Sequence, residues 1–189
     1  METGAVKLEN IRKSYQEKTV LSGFSAEFPY GKCSVLMGMS GLGKTTLLHI
    51  MMGLEKQDGG TVTGVPEKMA AVFQEDRLCR DFTAFTNVKM ATEAKKEEIL
   101  SVFSNLLIAD AAQKKVKELS GGMKRRVAIA RAVLSDSDII FLDEPFKGLD
   151  ETSKKAAAQL LLETGKTMIM VTHDRSEADL MNAEVTVLS

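Results

Sequence analysis

Gly38-Met39-Ser40-Gly41-Leu42-Gly43-Lys44-Thr45 fits the pattern G-x-x-x-x-G-K-[ST]. The apolar run Cys33-Ser34-Val35-Leu36-Met37 before it predicts a buried strand, and Thr45 to Met52 after it predicts a helix ending near Gly53. Strand, glycine-rich turn and helix, in that order, are the context in which this pattern cradles phosphate. The glycines let backbone N–H groups curl around phosphate oxygens, and the helix N-terminus adds its partial positive charge. Lys44 can then reach the β and γ phosphates, and the Thr45 hydroxyl can ligate Mg²⁺. The candidate nucleotide-binding stretch runs Gly38, Met39, Ser40, Gly41, Leu42, Gly43, Lys44, Thr45, Thr46.

Further along the chain, Asp138-Ile139-Ile140-Phe141-Leu142-Asp143-Glu144-Pro145 is an apolar strand that ends in two acids. A carboxylate at the C-terminal end of a strand beside such a loop suits Mg²⁺, and that role is expected of Asp143. Glu144 is placed to act as general base toward a water attacking the γ-phosphate.

The rest of the chain organises around these two strands. Val6 to Phe28 alternates apolar and polar residues with turns, predicting antiparallel strands. Between Glu93 and Asp110, Ile99, Phe103, Leu106 and Leu107 fall on one face of a helix. Ser120 can cap a second helix running to about Leu134. A helix from Ser153 to Glu163, a strand from Thr167 to Val171, a helix from about Ser176 and a strand from Val185 to Leu188 follow. Strands alternating with helices imply a parallel sheet covered on both faces. The expected fold is therefore α/β: a P-loop core with a parallel sheet, a small N-terminal antiparallel β subdomain and an inserted α-helical subdomain. One domain, residues 1–189, is expected, with the helical insertion at about 75–135.

Composition excludes several classes. Lys plus Arg is 25 and Asp plus Glu is 26, a net charge of -1, which argues against a nucleic-acid partner held by a broad basic face. Cys33 and Cys79 lie far apart, so neither a disulfide scaffold nor a cysteine zinc site is expected, but two buried free thiols. No cationic segment followed by an apolar run marks a signal peptide. No stretch approaches the roughly 18 apolar residues of a membrane span. The expected location is cytoplasmic, with any membrane service performed through a partner. Met51, Met52, Met168 and Met170 read as core fillers. The basic run Lys124-Arg125-Arg126 and Lys95-Lys96-Glu97-Glu98 read as solvated helix faces, and His49 as packing or surface.

Leu119-Ser120-Gly121-Gly122-Met123 is the discriminating feature. Small residues opening a helix make a second phosphate-binding nest. One site does not need two nests, whereas two sites shared between two subunits do. Here the sequence resembles the ATP-binding cassette family over essentially its whole length. The resemblance implies that Ser120, Gly121 and Gly122 form the signature that meets ATP, and that Tyr15 stacks on adenine. It implies that Gln74, in Val72-Phe73-Gln74-Glu75-Asp76-Arg77-Leu78, touches Mg²⁺ and the attacking water from a loop that faces a permease. Gly148-Leu149-Asp150 resembles the loop that crosses to the partner subunit, and His173, in Thr172-His173-Asp174, resembles the switch histidine on the γ-phosphate. The implied set is catalytic Glu144, His173 and Gln74, with Thr45, Gln74 and Asp143 on the metal. The implied cofactors are ATP and Mg²⁺. The implied partners are a second ATPase subunit, an integral membrane permease and a solute-binding protein, with the chain peripheral on the inner face of the membrane.

Phe73-Gln74-Glu75-Asp76-Arg77-Leu78, Leu119 to Met123, and Asp143-Glu144-Pro145-Phe146 with Gly148-Leu149-Asp150 are similar to the ATPases of nitrate, sulfonate and taurine importers, a group that includes importers of some thiamine precursors. Cys79-Arg80-Asp81-Phe82 departs from the Pro-Trp usual there, and Lys124-Arg125-Arg126 from the usual Arg-Gln-Arg. Other readings are an exporter ATPase, a soluble repair or translation ATPase, and a nucleotide-gated binding module. The near-neutral charge and the absence of a long coiled-coil insertion or a second cassette weigh against the soluble ATPase, and Glu144 weighs against the binding module.

Overall fold

The computed structural model describes residues 4–188. Two sheets form it. β1 (Ala5–Tyr15), β2 (Lys18–Pro29) and β4 (Gly59–Thr63) make an antiparallel sheet in the order β2-β1-β4. β3 (Cys33–Met37), β5 (Met69–Val72), β6 (Ile139–Asp143), β7 (Thr167–Val171) and β8 (Glu184–Val187) make a parallel sheet in the order β5-β6-β7-β3-β8. All residues of β6 and β7 are buried, as expected of central strands covered on both faces.

The period-2 geometry of these strands divides the molecule into two cores. Val35, Ile140, Leu142, Met168 and Met170 face one of them, against α4 (Gly121–Leu134), α5 (Glu151–Glu163) and α6 (Arg175–Leu180). Leu36, Ile139, Phe141, Ile169 and Val171 face the other, where α1 (Lys44–Met51) lies with the antiparallel sheet. Leu47, Leu48, Ile50 and Met51 of α1 are buried there. The phosphate-loop helix is thereby clamped between both sheets, and the residues that begin it cannot drift.

Between β5 and β6 the chain is helical. α2 (Ala84–Lys89), α3 (Lys96–Asn105), single 3₁₀ turns at Ala109–Ala111 and Val116–Glu118, and α4 follow one another. Three elements, one here and one in each sheet, are absent from the sequence reading. β4 is Gly-Gly-Thr-Val-Thr, which reads as a turn. β5 is Met-Ala-Ala-Val, whose alanines carry no strand preference. α2 has six residues, too few to show a helical period.

Two expectations are corrected. Cys79 is exposed, not buried, because the segment that carries it runs over the surface; only Cys33 is buried, and burial pushes its thiol up to about 12. Leu107 does not share the apolar face of α3. It adopts φ 57 and is 51% exposed, while Ile99, Phe103 and Leu106 are fully buried. The cause is the helix stop: Leu107 N–H donates to Ser104 O at 3.0 Å and Ile108 N–H to Phe103 O at 2.8 Å. This is the paired bonding that ends a helix through a left-handed residue, with Phe103 and Ile108 closing the hydrophobic contact.

Adjacent leucines should therefore respond oppositely. Leu106→Ala should cost about 2–5 kcal/mol of stability through the cavity it leaves. Leu107→Gly should be neutral or stabilising by about 0.5–1 kcal/mol, because glycine relieves the left-handed strain at some entropic cost. Urea unfolding of both variants checks this. A loss at Leu107→Gly comparable to that at Leu106→Ala would contradict the helix-stop assignment.

Candidate functional site

The turn from β3 into α1 is built from residues that only glycine can serve at key points. Gly43 sits at the N-cap of α1 with φ 93, and a Cβ there would lie 2.6 Å from Val20 Cγ1 of β2. The left-handed backbone and the approach of β2 both demand it. No side chain caps α1, and no acid lies in its first turn. Its first N–H groups are left free to meet an anion. Lys44 is buried and curls back over the loop, its Nζ donating to Gly38 O and Met39 O at 2.8 Å each. A cation held above free amides is a phosphate cradle.

One step along α1, Thr45 Oγ1 donates to Asp143 Oδ2 at 2.9 Å. Asp143 ends β6 and is 5% exposed. Burial raises its carboxyl pKa and the nearby Glu144 adds to this, against the Thr45 hydrogen bond. No cation pairs with Asp143 among the described residues. A buried carboxylate beside a hydroxyl, short of positive charge, fits a divalent ion. No group of three or more His, Cys, Asp or Glu among the described residues is placed to hold a metal, so such an ion would take its other ligands from elsewhere, as Mg²⁺ does with phosphates and water.

Glu144 follows, at φ 46, a left-handed conformation rare outside glycine. Its N–H donates to Val171 O of β7 at 2.9 Å, which holds the turn against the sheet. The carboxylate lies 3.2 Å from Lys147 Nζ and 3.3 Å from His173 Nδ1. Partial burial pushes its pKa up, but the hydrogen bond and charge of Lys147, joined by His173, outweigh that and lower it. It is therefore ionised at neutral pH and able to accept a proton.

His173 is exposed at the end of β7, and its neighbours fix its loop. Thr172 Oγ1 donates to buried Glu177 at 2.6 Å, Asp174 N–H donates to Thr172 Oγ1, and Lys154 reaches Glu177 at 3.5 Å. A cleft of about 300 Å³ collects Ser40, Gly41, Gly43, Lys44, Thr45, Thr46, Gln74, Asp143 and Glu144, with Val20 as one wall. Gly38, Met39 and Leu42 complete the turn outside that lining, Met39 with its side chain in solvent.

The signature residues lie elsewhere. Ser120 caps α4, its hydroxyl accepting from Met123 N–H at 3.2 Å. Gly121 and Gly122 line a second cleft with Glu75, Asp76, Arg125, Lys147 and Gly148, and Gln74 lines both clefts. Tyr15 lies outside both linings, exposed at the end of β1, with Lys13 Nζ 5.0 Å from its ring centroid. Asp150 caps α5 through Ser153.

The reading of Lys124-Arg125-Arg126 as a solvated face is corrected. Arg125 is 5% exposed and bonded to the loop carrying Gln74, and Arg126 donates to Gly122, Leu106 and Leu107 carbonyls. Carbonyls of segments distant in the sequence draw both side chains inward, and a basic triplet gives no sign of it. Lys147 and Val20 also escaped the sequence reading. Lys147, three residues after an expected base, carried a signal in its i,i+3 spacing; Val20 carried none.

Comparisons with known proteins show the family. The family model described as ABC transporter matches residues 21–147. An aliphatic sulfonates import ATP-binding protein of Rhodococcus jostii is 36% identical, over 97% of this chain and 71% of that protein. A Nod factor export ATP-binding protein of Burkholderia orbicola is 33% identical, over 100% of this chain and 69% of that protein. A solved bacterial Atm1-family ABC exporter with ATP bound has a TM-score of 0.88 at 22% identity, and this chain covers 37% of it, which speaks for the fold alone. On the family match and on relatives of this similarity and coverage, the chain belongs to the ABC transporter family, as one of its ATP-binding, ATP-hydrolysing subunits.

Proposed function

We propose that two copies of this chain close on ATP and, through a separate membrane permease, energise uptake of a small solute of the sulfonate kind. The observation that supports it is the separation of the two phosphate nests. Ser40, Gly41 and Gly43 to Thr46 line one cleft and Gly121 and Gly122 another, with Gln74 common to both. On this reading a phosphate held by both takes the cradle of one copy and the turn of another. Import is favoured by the sulfonate relative and by a spermidine/putrescine import ATP-binding protein of Haemophilus influenzae, 33% identical over 97% of this chain. The Nod factor export relative keeps export as the second reading. No helix among the described residues is long and apolar enough to cross a membrane. The chain then acts from the cytoplasmic face, docked on its permease, with a solute-binding protein delivering cargo outside and no nucleic acid involved.

The residues divide the chemistry. Lys44 and the free amides of α1 hold the phosphates, and Tyr15 offers a ring to the adenine. Thr45, Asp143 and Gln74 would hold Mg²⁺, which when bound neutralises charge on the β- and γ-oxygens. Glu144 takes the proton of the attacking water, and His173 donates to the γ-phosphate. The left-handed turn at Glu144 stores strain at the reacting end of the site, where such outliers cluster.

Glu144→Gln keeps the shape but cannot accept the proton. Its hydrolysis should fall about 10²–10⁴-fold, roughly 3–5 kcal/mol of barrier, while Mg-ATP binding persists. It should accumulate as an ATP-bound dimer on size exclusion. In proteoliposomes carrying the permease, with this chain outside, the native chain should drive sulfonate uptake on ATP addition and the variant should not. Hydrolysis within about threefold of the native rate removes Glu144 from the role of base; ATP-driven release in place of uptake selects export.

Asp143→Asn exchanges a buried, unpaired charge for a neutral amide that can still accept from Thr45. In chelator at neutral pH the free variant should be more stable than the native chain, with a higher urea midpoint, while its hydrolysis is lost. A less stable variant would mean that Asp143 is already compensated in the free protein.

A further inference from the structure

The Gln74 segment, between the end of β5 and the start of α2, has no regular secondary structure, yet Gln74 alone borders both clefts. What holds it in place is a guanidinium. A buried arginine is costly unless its donors are paired. Arg125 meets that demand on this segment: Nη1 donates to Phe73 O and Nη2 to Gln74 O, each at 2.5 Å. Its Nε stands 3.3 Å from Asp76 Oδ1, an ion pair without hydrogen-bond alignment. Six residues further on α4, Arg131 donates to Arg77 O at 3.0 Å and Asp76 O at 3.4 Å. The Arg77 guanidinium in turn lies 3.6 Å from the Phe73 ring centroid. Four of the five main-chain positions 73–77, those of Phe73, Gln74, Asp76 and Arg77, are tied by their carbonyls to the helix that Ser120 opens.

We infer that Arg125 is a positioning residue for Gln74: its fork, braced by Asp76, fixes the Gln74 backbone to α4 and so sets where the Gln74 side chain stands in the cleft. This rests on the role proposed above for Gln74. The fork explains the residue type. Only a planar guanidinium spans two successive carbonyls while setting its charge beside a carboxylate; a lysine ammonium or a glutamine amide cannot. Because Arg125 and the Ser120–Gly122 turn share one helix, the two clefts are joined through this contact.

The test pairs rate with position. In a Cys33→Ser, Cys79→Ser background, a nitroxide on Glu75→Cys reports the motion of the loop. Arg125→Gln and Arg125→Lys should both loosen it, and Asp76→Asn should do so to a lesser degree. Basal ATP hydrolysis in Arg125→Gln should fall roughly ten- to a hundredfold in kcat, the scale of a misplaced reacting group, with KM for ATP within about twofold. In a Gln74→Ala background the same substitution should cost nothing further, since the group it places is gone. Urea unfolding confirms that each variant is folded; Arg125→Lys and Asp76→Asn remain the test if Arg125→Gln is not. An unchanged nitroxide signal in folded variants overturns the inference, and so does an equal rate loss with and without Gln74, which marks a merely structural role. A native rate in Gln74→Ala, with the loop still loosened by Arg125→Gln, upholds the anchoring and removes Gln74 from the chemistry instead.

Discussion

The 2.9 Å hydrogen bond from Thr45 to Asp143 joins two segments that are nearly a hundred positions apart in the chain, and the site exists because the fold brings them together. Thr45 is held by α1, whose apolar face is locked between the antiparallel sheet and the parallel one. Asp143 is held by β6, buried on both sides. β7 lies between β3 and β6, and its carbonyl at Val171 anchors Glu144. A phosphate cradle, a carboxylate without an ion-pair partner and an ionised candidate base thus converge at the C-terminal ends of β3 and β6, with β7 between them, where open α/β sheets hold their ligands.

This arrangement trades stability for chemistry. Asp143 is buried with its carboxyl pKa raised by burial, Glu144 stands in a left-handed turn, and the first amides of α1 have no cap. Each feature costs the free protein something, and each would be offset by a ligand carrying phosphate and a divalent ion. The continuous cores on both faces of the sheet supply the surplus. Lys147 and His173 hold Glu144 from opposite sides in the meantime, keeping it charged and placed.

Much of this was legible in the sequence because the signals were local. Residues Cys33 to Met52 carry a strand, turn and helix within one window, and Ser120 and Leu134 bound α4 as the capping rule expects. What escaped was set by tertiary context. β5 is an alanine-rich strand made so by pairing with β6. Leu107 fits a helical face until the backbone turns left-handed at that residue. Arg125 sits in a basic triplet that any composition rule assigns to solvent, and its burial follows from carbonyls of a loop fifty residues earlier that no pattern in the sequence connects to it. Tyr15 is the reverse: a family resemblance names it, and the structure places it outside the cleft lining.

The reading stands or falls on whether a complete site takes its two phosphate nests from two chains. Ser40 borders the first cleft and Ser120 opens the helix beside the second, and both are exposed. A Cys33→Ser, Cys79→Ser chain carrying Ser40→Cys and Ser120→Cys, treated with Mg-ATP and a short bifunctional thiol reagent, decides it on a denaturing gel. A dimer band that strengthens with ATP and vanishes on high dilution is the expected result. Internally cross-linked monomer, independent of concentration, would place both nests in one chain and end the closing-dimer mechanism.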